Sequence, residues 1–159
     1  MRIPSLLLLT LLAGCSLPNL DTDPLVVPGT GETEFFQLTA GLDDLVMTRG
    51  VQGGTHLWGA ARVTGLDWRE VTIRWSLTDA DDDEVTESTS IRQALQPCTS
   101  GSFGCEPGMG EVVAVTVVLD SPSGVRGDEL TMTVEATDEA GRTASASSAV
   151  RPVSQVAVE

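Results

Sequence analysis

The stretch VTIRWSLT, Val71 to Thr78, alternates without a break. Val71, Ile73, Trp75 and Leu77 fall on one side, and Thr72, Arg74, Ser76 and Thr78 on the other. Successive side chains of an extended chain point to opposite faces, so a period of two predicts a strand with one buried face. A helix would scatter the same apolar residues around its girth. Antiparallel sheets with one packed face and one wet face have this pattern.

The pattern repeats on both sides of this stretch. THLWGAARV, from Thr55, puts Leu57, Gly59, Ala61 and Val63 on one face and His56, Trp58, Ala60 and Arg62 on the other. ELTMTVEAT, from Glu129, points Leu130, Met132, Val134 and Ala136 inward. EVVAVTVVL, from Glu111, is almost wholly apolar and β-branched, which suits a central strand. EFFQLT, DLVMT, EVTEST and RTASASSAV are shorter strand candidates, and SIRQALQ reads as a strand or one helical turn. Between ELTMTVEAT and RTASASSAV, TDEAGR predicts a tight hairpin. There Gly141 can take positive φ and Asp138 can bond the turn backbone. No segment holds a helical period. The sum predicts an all-β, antiparallel sandwich over residues 35–153, with 154–159 as a tail.

The first residues, MRIPSLLLLTLLAGC, carry one positive charge at Arg2, an apolar run from Ile3 to Leu12, and then small residues before Cys15. A membrane span needs about 20 apolar residues, roughly twice this run, so the segment reads as an export signal. Leu12-Ala13-Gly14-Cys15 resembles the bacterial lipobox. The resemblance implies cleavage after residue 14 and acylation of Cys15, which anchors the chain to a lipid membrane without spanning it. Ser16, by the same resemblance, points to the outer membrane. Residues 15–34 are rich in proline, glycine and acids, and are expected to form a flexible tether holding the domain roughly 25 Å from its anchor. An irregular first strand through Pro24–Pro28 is the alternative.

With Cys15 assigned to lipid, Cys98 and Cys105 remain. An even pair in an exported chain reads as a disulfide, here closing the small loop TSGSFG. Two thiols and one distant histidine make a poor zinc set.

The formal net charge is −14, and loss of Arg2 with the signal takes it to −15. That excludes the basic footprint of a nucleic-acid binder. It also opposes electrostatic docking on anionic lipid. Lysine and tyrosine are absent.

Two groups of side chains are candidates for chemistry. In DADDDE, Asp79, Asp81 and Asp83 match the first three ligand positions of a calcium loop. The match stops at Glu84, where glycine is needed, and at Ser90, where a bidentate glutamate is needed. With Glu87 these acids compose a candidate Ca²⁺ rim site; the alternative is a hydrated acidic turn that discourages edge pairing. His56 is the only imidazole. No catalytic motif accompanies it, so no enzyme activity is expected. His56, Trp58 and Arg62 share the polar face of their strand and form a candidate binding patch, which Trp68 in the following turn would extend.

Leu130–Val150 resembles the last hairpin of bacterial immunoglobulin-like domains, and Trp75 is similar to the core tryptophan of such sandwiches. Cys98 and Cys105 are too close in sequence for the inter-sheet bridge of antibody domains, so the similarity is architectural. Gln52–Trp58 resembles a segment of lipoproteins from high-GC Gram-negative bacteria, which implies no activity. The expectation is a lipid-anchored cell-envelope protein, a non-catalytic binding or scaffolding module whose partner is an envelope protein or a glycan. The alternative is a calcium- or carbohydrate-binding module at the cell surface.

Overall fold

The structure, a computed structural model, describes residues 17–50, 53–86, 89–99 and 101–154. The signal segment, Cys15 and Glu87 lie outside the described residues. All regular elements among the described residues are strands. No described helix is long and apolar enough to cross a membrane.

Ten strands follow in chain order: β1 (Leu25–Thr30), β2 (Phe36–Gln37), β3 (Asp43–Arg49), β4 (Thr55–Thr64), β5 (Val71–Thr78), β6 (Thr89–Gln93), β7 (Gln96–Pro97), β8 (Gly110–Val118), β9 (Leu130–Asp138) and β10 (Thr143–Ser154). One layer runs β2-β1-β4-β8-β7, and the other runs β10-β9-β5-β6. β3 joins them by pairing with both β10 and β4. The result is an all-β, sandwich-like fold whose sheet curls around one core.

The alternating faces expected from the sequence meet in that core. Ile73, Trp75, Leu77, Met132, Val134 and Ala136 of one layer are fully buried against Leu57, Ala61, Val63 and Val117 of the other. Each of the larger aliphatic side chains among them contributes about 1.5–3 kcal/mol on leaving water, so the period of two is enforced energetically.

Three expectations are corrected. The tether does not extend to residue 34: Leu25–Gly29 pair with Thr64–Ala60 of β4, and Val26 is buried. The two prolines that argued for coil sit where they do little harm. Pro24 precedes the strand, and Pro28 lies on β1, which borders the layer through only the short β2. Second, the sandwich is not purely antiparallel. β10 runs past the end of β9, and its last residues, Val150–Ser154, take Asp43–Met47 of β3 as a parallel partner. Third, Glu84–Thr86 of the EVTEST segment form isolated bridges, Thr78 with Glu84 and Thr86 with Leu119, and the last residue of the segment, Thr89, opens β6. EFFQLT shrinks to the two residues of β2.

The β9–β10 hairpin turns as expected. Asp138 accepts from the Arg142 amide at 2.9 Å, and Gly141 has φ 78°. The same carboxylate accepts from the Asp67 amide at 3.1 Å and pairs with the Arg142 guanidinium, so it ties the β4–β5 turn to the hairpin. Burial alone would raise its pKa. The Asp67 and Arg142 amides, with the Arg142 side chain, outweigh that and hold it below the ordinary carboxylate value.

Candidate functional site

The second face of β4 is covered. Beyond β1 the chain turns sharply at Gly31, with φ 133°, and the Gly31 carbonyl accepts from the Ala114 amide at 2.9 Å. Ala114 itself has φ 60° and sits in a β-bulge, where β8 spends two residues against one of β4. This clamp folds Phe35 back across the outside of β1. A Cβ at Gly29 would lie 2.2 Å from the Phe35 ring, so only glycine there leaves room for it.

Arg62 projects onto the same outer face. Its guanidinium carbon lies 4.2 Å from the Phe35 ring centre, a cation–π contact. Its Nε donates to Glu111 Oε2 at 2.6 Å, and its Nη1 donates to the Phe103 carbonyl. The side chain is only 3% exposed. Phe103 belongs to the loop closed by the Cys98–Cys105 disulfide, whose Cα atoms are 5.9 Å apart. That loop is braced by Ser102 and Cys105 amides donating to Thr99 and Ser102 carbonyls, and by Cys98 donating to Met109. The loop thus holds its carbonyl down on Arg62 and turns the Phe103 ring out to solvent, 91% exposed.

Between the two loops lies a groove of about 450 Å³, lined among others by Glu34, Phe35, Phe36, Gln37, Phe103 and Glu111. The chain has three phenylalanines, and all three are here. Phe36 and Phe103 expose their rings, while the tryptophans Trp68 and Trp75 are buried. The lining offers apolar ring faces beside carboxylate, amide and hydroxyl groups. That combination suits reversible binding, and Arg62 and Glu111 are spent on each other.

The expected patch is therefore only partly assembled. Of its residues Arg62 reaches the groove, as its floor and not as an exposed contact. His56 is buried, edge-on to the Trp58 ring at 4.5 Å, and its Nε2 has no hydrogen-bond partner among the described residues. Trp58 is half-buried. Trp68 does not extend the patch: its indole donates to the Gly108 carbonyl at 2.7 Å from a buried position. The period of two treated β4 as half wet, but two loops from distant sequence close over it. Phe35, Phe36, Phe103 and Glu111 were missed. The rarity of phenylalanine, with one copy inside the cysteine loop, was the available signal.

The acidic turn is self-capped. Asp79 Oδ1 accepts from the amides of Asp81 at 2.9 Å and Asp83 at 3.0 Å, and Asp82 has φ 64°. Among the described residues no group of three histidine, cysteine, aspartate or glutamate side chains is arranged to hold a metal ion. No family model matches this chain, and no curated protein or solved structure does.

Proposed function

We propose that this chain is a lipid-anchored cell-envelope protein whose immunoglobulin-like sandwich binds a partner, without catalysis, through the phenylalanine-lined groove. The observation that carries the reading is the gathering of all three phenylalanines around one groove, two of them exposed. Exposed aromatic rings on a rigid concave surface are costly to hydrate and favourable to cover.

Strand pairing supports the immunoglobulin-like reading. β4 pairs with β8 in one layer and β5 with β9 in the other, and the chain changes layer between β4 and β5 and again between β8 and β9. The lipobox resemblance supports acylation of Cys15 and an outer-membrane location. Leu17 lies against Gly108, because a Cβ there would be 3.4 Å from the Leu17 carbonyl oxygen. Two residues span at most about 7 Å. An acyl anchor on Cys15 would then hold the disulfide-loop side of the domain close to the bilayer, not 25 Å away as a loose tether would.

The test places a photo-crosslinking residue at Phe103 in the full chain in its host envelope. A discrete adduct that disappears in a Phe36→Ser background supports the groove; no adduct, or one indifferent to Phe36, overturns it. Fatty-acid labelling that is lost in Cys15→Ser tests the anchor separately. A glycan reading is the second, favoured by the Gln37 amide and Glu34 carboxylate beside the rings, which suit sugar hydroxyls. Glycan-array binding that is lost in Phe103→Ser would select it.

A further inference from the structure

The chain carries nine arginines against twenty-three acids, so an arginine without a carboxylate is the exception. Arg62, Arg69, Arg74, Arg92, Arg142 and Arg151 each face a carboxylate at 2.5–3.4 Å. Among the described residues Arg49 and Arg126 have no such partner, and both line one cavity of about 400 Å³. No aspartate or glutamate is among its described lining residues.

We propose that this cavity is an anion site that takes the carboxylate or phosphate group of a small ligand. It is built from the start of β4, the end of β3, the loop after β8 and the last residue of β10, away from the phenylalanine groove. Its backbone is fixed. Arg49 is the ladder partner of Thr55. The Arg126 loop is pinned by buried Val125 and by the Gly127 amide, which donates to the Pro152 carbonyl at 2.9 Å. Two arginines lining one hollow with no carboxylate among its lining residues can both turn to an oxyanion, and each guanidinium can bind it with paired N–H donors. The hydroxyls of Thr55, Ser123 and Ser154 line the same hollow and add donors. The volume exceeds that of one oxyanion and suits a small organic molecule, so the charged group is a substituent. The strongly acidic protein repels polyanions at a distance, which favours a small ligand of low charge over a polymer.

The test is an NMR titration that follows the arginine Nε–Hε signals with inorganic phosphate, with glucuronate, and with glucose as neutral counterpart. Saturable shifts confined to Arg49 and Arg126, with either anion and not with glucose, are expected; the tighter anion names the group. Arg49→Gln or Arg126→Gln should each weaken binding about tenfold, and the double variant should abolish it. Lysine at either position should recover part of the affinity. Both side chains are exposed and have no ion-pair partner among the described residues, so the variants should keep the parent melting temperature. No shift at millimolar anion, shifts spread equally over all arginines, or binding unchanged in the double variant would overturn the proposal. So would a marked loss of stability in the single variants, because it would mean that the arginines serve a partner within the fold.

Discussion

Arg62 on β4 and Glu111 on β8 are direct cross-strand partners, and Arg62 Nε donates to Glu111 Oε2 at 2.6 Å on the outside of the sandwich. The pair is nearly dry on the arginine side and partly wet on the glutamate side. Removing one member leaves the other desolvated and unpaired. Glu111→Ala should therefore cost about 3 kcal/mol, because it strands the dry guanidinium, and the charge left by Arg62→Ala should cost less, because water can reach Glu111. Urea melts of the two single variants and the double variant would measure the coupling; independent, additive costs would contradict the pairing.

Phe35 depends on the missing side chain at Gly29. Gly29→Ala would push a methyl group into the ring and cost about 1–3 kcal/mol. In a Phe35→Ala background the same substitution should cost almost nothing. The predicted coupling exceeds about 1 kcal/mol and is read from thermal or denaturant melts of the four proteins.

Reducing the Cys98–Cys105 bond should lower stability by about 2.5 kcal/mol on the chain-entropy estimate for so short a loop. It should also release the Phe103 carbonyl from Arg62. Melts with and without reductant, compared with Cys98→Ser/Cys105→Ser, check the energy. Faster proteolytic nicking within residues 99–104 checks the loosening.

Acid should destabilise the fold through Asp138 and Asp67. The Arg69 side chain leads in lowering the Asp67 pKa, and Asp138 is also held low despite its burial. Both groups are depressed in the native state, so the unfolded chain takes up protons first as the pH falls. Their contribution is complete above the unfolded carboxyl value of about 3.9 and is lost as pH drops through the lower folded values. Urea midpoints should fall steadily from about pH 5 downward, and Asp138→Asn should flatten that slope.

Millimolar calcium should leave the melting temperature unchanged at constant ionic strength. The Asp79 carboxylate is occupied by the amides of Asp81 and Asp83. Asp79→Ala should instead cost about 1 kcal/mol, the net worth of a turn hydrogen bond, with or without calcium. A calcium-dependent rise that disappears in Asp81→Asn would show that the acids act as ligands.

Much of the fold was legible in local pattern. The alternation in β5, β9 and the inner face of β4 located those strands and their buried residues, and Asp138 with Gly141 located a hairpin. Those features are carried within a few residues of chain, where the two-residue repeat of a strand acts directly. β1 was harder to read, because Pro24, Pro28 and the neighbouring acids describe a coil unless a partner edge is known. The bulge at Ala114 left no trace in a run of apolar residues.

The sequence by itself determined an all-β chain, the inward faces of its principal strands and a cysteine pair close enough to bond. Tertiary structure alone decided the parallel β3–β10 contact, the burial of His56 and the groove that gathers Phe35, Phe36 and Phe103. The physical reason is range. Alternation and turn chemistry act between neighbours along the chain, whereas the cover over β4 comes from residues 27 before Arg62 and 41 after it. No local period records which distant loop will close over a strand's outer face.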